Sequence, residues 1–474
     1  MTTLTTPPPV PASAAQSHSL RRVVFIAAAA AMGGFLFGYD SSVINGVVQA
    51  VRDRYAVGSA GLAQVIAAAL VGCAIGAALA GRLADRLGRI RCMQIAALLF
   101  TVSAVGSALP FALWDLALWR VLGGLAIGMA SVIGPAYIAE VSPPAYRGRL
   151  ASFQQGAIVI GIAMSQLVNW IILRLAHGEQ RGLIGGLEAW QWMLGIMVVP
   201  AVAYGLLSMK IPESPRYLIA AGRTDQAARV LRQIEGPRTD PAARIREIQE
   251  SMRREVKSTF RDLLGRRGFL PVVWIGIGLS VFQQLVGINV IFYYSASLWE
   301  SVGINPSSSF LYSFTTSIIN LVGTVIAMVC VDRIGRKPLI LIGSAGMALS
   351  LGAAAWAFSY RTGSGSAIHL ASTQATVALV AAHLFVLFFA LSWGVVVWVL
   401  LGEMFPNRIR ASALGVAAAA QWIANWAITV TFPSLSNWNL SGAYVFYAVC
   451  AALSIPFALK WVPETKGKAL EEMG

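Results

Sequence analysis

The stretch Gln283-Gln284-Leu285-Val286-Gly287-Ile288-Asn289-Val290-Ile291-Phe292-Tyr293-Tyr294 sets two adjacent carboxamides, a third carboxamide and two phenols inside a long apolar run. An unpaired amide in lipid is costly, so these groups must face protein or a water-filled cavity rather than acyl chains. They carry donors and acceptors but no charge, which suits a neutral polyol. The competing reading is a polar seam that glues two helices. One glutamine would fit that seam; a cluster favours a ligand.

The rest of the chain says what surrounds this stretch. Its 474 residues are 57% apolar and only 12% charged, with a mean hydropathy of +0.67. That is a membrane composition. Twelve stretches are long enough to cross: 22–47, 59–81, 92–112, 114–139, 150–175, 188–210, 269–297, 308–331, 338–359, 374–401, 409–433 and 440–461. An even number puts both termini on one side. The net charge of +15 could suggest nucleic acid, but its distribution does not. With cytoplasmic termini, five of the 36 Lys and Arg fall in outer loops (Arg52, Arg54, Arg174, Arg181, Arg361) and Arg120 falls in a span. The remaining thirty lie on the inner side, which is the positive-inside pattern. The four cysteines sit in or beside spans and suggest neither disulfides nor zinc.

The expected organisation is a disordered cytoplasmic tail (1–21), a six-helix bundle (22–210), a cytoplasmic linker of short amphipathic helices (211–268), a second six-helix bundle (269–462) and a short tail (463–474). In the linker, apolar residues recur at helical spacing: Ala227, Val230, Leu231 and Ile234, then Ile245, Ile248 and Met252. The two bundles repeat one another. Asp85-Arg86-Leu87-Gly88-Arg89 returns 247 residues on as Asp332-Arg333-Ile334-Gly335-Arg336. Gly38-Tyr39-Asp40 aligns with Gly287-Ile288-Asn289 at an offset of 249, and Glu140 with Arg147 aligns with Glu403 and Arg410 at 263. Pro212-Glu213-Ser214 echoes Pro463-Glu464-Thr465 at 251. Four matches in one order indicate duplication. In a twelve-span chain this marks a transporter whose site lies near mid-membrane, between halves that rock about it.

The motifs resemble those of the sugar porters of the major facilitator superfamily, over about 23–474, and the second half is similar to actinobacterial-type glucose permeases. The stretch at 283–294 resembles the family's QQxxGINxxxYY. Gly81 to Arg89 resembles its loop motif after the second span, which implies that Gly81, Asp85, Arg86 and Arg89 form a charge latch of the outward-facing state. The second copy supplies Asp332, Arg333 and Arg336, with Met328 in place of Gly81. Glu140 through Arg149 resembles PxxxAE…RG, and Pro212-Glu213-Ser214-Pro215-Arg216 and Pro463 to Gly467 resemble the two domain-end signatures. By that resemblance Glu140, Arg147, Glu213, Arg216, Glu403, Arg410 and Glu464 join inner gate networks. The span from Arg120 to Gly128 carries small residues along one side, which allows close packing.

The resemblance also implies the sugar contacts: Gln155 in span 5; Gln283, Gln284, Asn289 and Tyr293 in span 7; Asn320 in span 8; Gly394 and Trp398 in span 10; Gln421 and Asn425 in span 11; and Phe37 in span 1. Gln283 lies about 100° from Gln284 on a helix, so a broken or wide pocket-facing helix would help both amides reach a ligand. Gly394 permits a bend, although Val395 stands where many relatives have Pro; Trp398 would stack on a pyranose. Trp422 and Tyr294 fit packing as well as contact. Asp40, in mid-span 1, has Arg120 as its counter-charge by family pattern. Burial favours its neutral form and Arg120 its anion, so it is the candidate proton carrier. A structural ion pair is the other reading.

The expected function is proton-coupled import of a hexose, most of all glucose, by a monomer in the plasma membrane (the inner membrane of a bacterium). The alternatives are an uncoupled facilitator, a symporter for xylose or galactose, and a membrane sugar sensor, against which the short tail argues. No cofactor, metal site, nucleic-acid partner or catalytic constellation is implied.

Overall fold

The computed structural model describes residues 12–143, 147–236, 240–254, 260–265, 268–301, 303–362, 370–406 and 408–466. Every long apolar stretch is helical, since only a helix satisfies its own backbone in lipid. Helix α1 (Ala12–Val43) and a 3₁₀ turn (Ile44–Gly46) lead to α2 (Val48–Tyr55), α3 (Ser59–Leu87), α4 (Arg89–Ala108), α5 (Leu113–Val141) and α6 (Arg147–Leu175). A two-residue hairpin, β1 (Leu183–Ile184) against β2 (Leu187–Glu188), precedes α7 (Ala189–Gly195) and α8 (Val198–Lys210), which form one crossing. The linker holds α9 (Pro215–Ala220), α10 (Thr224–Glu235), α11 (Pro241–Arg254) and a second hairpin, β3 (Leu264–Gly265) with β4 (Gly268–Phe269). The second bundle contains α12 (Pro271–Leu285), α13 (Ile288–Ser301), α14 (Pro306–Ile334), α15 (Arg336–Ser359), α16 (Ser372–Leu391), α17 (Trp393–Met404) and α18 (Arg410–Trp461).

Eleven helical segments are long and apolar enough to cross a membrane. The last, α18, has 52 residues. At ~1.5 Å per residue it is more than twice the ~30 Å of a hydrocarbon core. It breaks at Asn439, where φ is −155° and ψ 98°, and so supplies two crossings. The described chain therefore crosses twelve times, with both ends on one side, called here the terminal side.

Two expectations change. The tail is helical from Ala12, ten residues before the expected start, because Ala12-Ser13-Ala14-Ala15-Gln16 favours helix and holds no breaker. The motif read as a loop at 81–89 is helix except for Gly88, which at φ +93° caps α3 and lets α4 begin at once.

Within the first bundle α3 packs along α5 and α1 along α6. Backbones touch where glycines interleave: a Cβ on Gly124 would stand 1.9 Å from the carbonyl oxygen of Ala69, and one on Gly72 2.1 Å from that of Val121. The small-residue side of α5 thus packs closely, as its sequence suggested. Linker residues Ala227, Val230, Leu231 and Ile234 are all buried, so α10 presents its apolar face to the bundle. The halves meet along α6 against α14 and along α3 against α18, and leave a hollow between them.

Candidate functional site

That hollow has a volume of about 500 Å³. The break in the seventh crossing builds its wall. Helix α12 ends at Leu285, Gly287 takes φ +83°, and α13 starts at Ile288. A side chain on Gly287 would meet the Tyr447 ring at 2.9 Å, so glycine is required on two counts. The break turns Gln283, Gln284 and Asn289 into the same space. They form a one-way relay: Asn289 Nδ2 donates to Gln284 Oε1, Gln284 Nε2 donates to Gln283 Oε1 at 3.4 Å, and Gln283 Nε2 donates to the Trp393 carbonyl at 2.8 Å. Trp393 is fully buried and anchored by its indole N–H on Ser344 Oγ at 2.9 Å.

Gln155, Asn320, Gln421 and Asn425 line the hollow from other helices, as do Phe37, Tyr293, Gly394 and Trp398. All eleven residues expected at a ligand therefore share one cavity. Asn425 Oδ1 accepts from Thr429 at 3.2 Å, while Gln421 Oε1 is buried without a partner. Trp398 is 43% exposed, at the open part of the cavity. Phe37 and Trp422 approach across the two halves with centroids 6.2 Å apart. Tyr294 does not line the cavity; it donates to the Thr429 carbonyl at 3.0 Å and belongs to the packing. The tenth crossing bends at Ser392 (φ −134°, ψ −88°), two residues before the glycine expected to bend it. Ser392 Oγ donates back to the Phe388 carbonyl at 2.6 Å, and Gly394 lies within α17.

Sequence reasoning missed Gln154. It is 6% exposed, lines the cavity, and neither end of its amide has a partner. The signal was the doubled glutamine in Phe153-Gln154-Gln155-Gly156. Two glycines make its room: a Cβ on Gly34 or Gly134 would stand 2.8 Å from its amide.

Asp40 and Arg120 lie beside the hollow rather than in its wall. Arg120 donates to Asp40 Oδ1 at 2.8 Å, with both side chains at most 3% exposed. Asp40 Oδ2 and Arg120 Nε are buried and unpartnered. Arg120 also borders a chamber of about 10 Å³, the size of one water, whose walls include Tyr293 and Trp422 of the larger cavity.

The two sides of the membrane are sealed differently. On the side away from the termini, Asn45 joins the halves. Its Nδ2 donates to Ser295 Oγ at 3.0 Å and to Gln166 Oε1 at 3.3 Å, and its Oδ1 accepts the Ala296 N–H at 3.0 Å. Nearby, Gln180 reaches Glu300 Oε1 at 3.5 Å. Burial, with Asp53 behind it, pushes the Glu300 carboxyl up to about 7. None of these closing residues stood out in the sequence.

On the terminal side the cavity reaches Ala151 and Ala418, near the ends of α6 and α18. The charge clusters there hold each half to itself. Arg89 grips Glu140 through Nε and Nη2 at 3.0 and 2.9 Å, and Glu213 accepts the N–H groups of Arg89 and Ile90. Arg336 grips Glu403 at 3.1 and 2.8 Å, and Glu464 accepts the N–H groups of Arg336 and Lys337. Burial opposes the Glu464 charge, but these donors and the Lys466 N–H outweigh it and hold its carboxyl below the usual range. Asp85 is exposed and touches Arg89 at 3.4 Å.

Of the charges expected to latch the outward-facing state, Asp85, Arg89 and Arg336 pair within their own halves here. A Cβ on Gly81 would meet nothing within 4 Å. Arg86 and Arg333 are exposed, Arg216 is half-buried at the start of α9, and Arg410 donates to the Phe405 carbonyl at 3.2 Å. The side chains of Arg147 and Asp332 lie outside the described residues. No group of three or more metal-ligating side chains stands among the described residues.

A family model described as "Sugar (and other) transporter" matches residues 26–474. The chain is 50% identical to the "Glucose transport protein" of Synechocystis sp., over 96% of this chain and 97% of that one. It is 37% identical to the "D-xylose-proton symporter" of Escherichia coli strain K12, over 94% and 93%. Its fold matches a partially occluded inward open structure of the E. coli xylose transporter XylE with a TM-score of 0.80 and 35% identity, covering 95% of this chain and all of that one.

Proposed function

Since the chain belongs to the sugar transporter family, we propose that it imports a hexose, glucose foremost, together with a proton. The observation that carries the reading is one cavity between duplicated bundles, lined by uncharged amides and sealed on one side only. A sugar presents hydroxyls and no charge, and carboxamides answer its donors and acceptors alike. In this reading Gln155, Gln283, Gln284, Asn289, Asn320, Gln421 and Asn425 bond the hydroxyls. Tyr293 adds a phenol, Trp398 and Phe37 cover the apolar faces, and Gly394 leaves room. Net hydrogen bonds of ~0.5–1.5 kcal/mol each give a hold that is firm enough to load and weak enough to release.

Asp40 takes the proton. Its Oδ1 is held by Arg120 and its Oδ2 is bare, so protonation there neutralises the acid and loosens α1 from α5. One proton moving down ~100 mV supplies ~2.3 kcal/mol, and a one-unit pH gradient adds ~1.4 kcal/mol. Together they support roughly a few-hundred-fold accumulation of sugar. The excess of Lys and Arg on the terminal side argues that this side is cytoplasmic, which makes the structure inward-facing; we place it, as expected, in a plasma membrane and as a monomer.

Radiolabelled glucose, galactose, xylose and inositol uptake into proteoliposomes, with and without a pH gradient, tests the reading. Glucose should compete best and accumulate only with the gradient. Accumulation indifferent to the gradient would remove the proton, and indifference to all four sugars would remove the substrate class.

A further inference from the structure

A second cavity, of about 280 Å³, lies apart from the sugar site, where the linker docks on the terminal side of the first bundle. Arg91 and Gln94 of α4 line it, with Tyr217, Arg223 and Gln226 from the linker. Arg91 and Arg223 are exposed, and neither forms an ion pair among the described residues. The one carboxylate in the wall, Glu213, is committed to the backbone N–H groups of Arg89, Ile90 and Ser214 at 3.0, 3.2 and 2.8 Å. Two cations therefore border one concave space with no free anion opposite.

The duplicated charge cluster does not require this. Position 91 corresponds to Pro338 in the second half, so Arg91 is an addition to the shared plan. Membrane topology explains basic residues on this side, but not their convergence on a cavity. The surface leading away from the cavity is made for acyl chains: Leu98 of α4 is 63% exposed, and Leu206 and Met209 of α8 are 52% and 62% exposed. Helices α4 and α8 pack together, and Ile211, just past α8, lines the cavity.

We propose that this cavity binds the phosphate headgroup of an anionic phospholipid. Arg91 and Arg223 hold the phosphate, Gln94 and Gln226 meet the hydroxyls of the headgroup, and the chains run along α4 and α8. The bound lipid ties α10 to the start of α4, beside the Arg89–Glu140–Glu213 cluster. The orientation proposed above assigns it to the inner leaflet, and the binding itself does not depend on sugar transport.

The test is hydrogen exchange of α10 in the full chain, in vesicles of phosphatidylcholine alone or with phosphatidylglycerol added. Two arginines at a membrane surface predict that phosphatidylglycerol slows exchange roughly tenfold or more. Arg91→Gln with Arg223→Gln should abolish that slowing while sugar counterflow in phosphatidylcholine persists, which shows the variant is folded. Arg246→Gln, at an exposed position of α11, should leave the slowing intact. Equal exchange in the two lipids overturns the proposal, as does an undiminished response in the double variant or an equal loss in Arg246→Gln. Inorganic phosphate reproducing the slowing in phosphatidylcholine would make this a soluble-anion site and overturn the lipid.

Discussion

Gln284 carries the hydrogen-bond wiring of the cavity. It accepts from Asn289 and donates to Gln283, which is itself pinned to the Trp393 carbonyl. The relay fixes which end of each amide faces the hollow, so the proposed sugar would meet donors and acceptors already aimed. Gln284→Ala removes one ligand and unpins Asn289. Glucose binding should weaken by about 1–3 kcal/mol, roughly 5- to 150-fold, in a tryptophan-fluorescence titration. A change below twofold would remove Gln284 from the site. The carboxamides of 283, 284 and 289 were legible because polar groups in an apolar run need a reason. Gln154 was not. Adjacent helix positions point about 100° apart, which suggests that only one of the pair at 154 and 155 faces inward. The room for both comes from Gly34 and Gly134 on other helices, and no local pattern shows that.

Breaks in helices place these residues, and each break has its own chemistry. At Gly287 the left-handed φ and the Tyr447 ring exclude any side chain. Gly287→Ala should cost about 1–3 kcal/mol and lower the thermal midpoint; an unchanged midpoint would mean that the seventh crossing tolerates a continuous helix. The tenth crossing bends at Ser392 because a serine hydroxyl can return to the preceding turn. The sequence pointed to Gly394, a reasonable hinge by composition, but the bend is fixed by a hydrogen bond that composition does not reveal. At its far end α13 carries Glu300, raised to about 7 in the closed arrangement. An exposed glutamate titrates near ~4.3. The closed form therefore has its full advantage below about pH 4.3 and loses it as pH rises through about 7. Accessibility of a cysteine probe on the side away from the termini should accordingly rise between those values, and Glu300→Gln should flatten the curve. A profile shared by wild type and variant would assign the titration elsewhere.

At the scale of the molecule, the duplication seen in short motifs extends to matching atoms. Arg89 with Glu140 and Glu213 has the same bonding as Arg336 with Glu403 and Glu464. Among the described residues the bonds of each cluster lie within one half. Arg89→Ala should cost ~3–5 kcal/mol by leaving the largely buried Glu140 carboxylate unpaired, Arg336→Ala should cost less because Glu403 is more exposed and keeps the Thr465 hydroxyl, and their effects on the thermal midpoint should add. Strong non-additivity would mean that the bundles are coupled through these clusters. The twelve crossings, the two halves and the common cavity were all legible, because lipid leaves few solutions for an apolar chain. The conformation was not. It depends on Asn45 meeting Ser295 and Ala296 across 250 residues, a match between surfaces rather than a motif. In the proposed function Asp40 couples the halves to a proton, and one comparison isolates it. In proteoliposomes Asp40→Asn should lose gradient-driven glucose accumulation while keeping glucose counterflow exchange; an Asp40→Asn protein that still concentrates glucose would contradict the account.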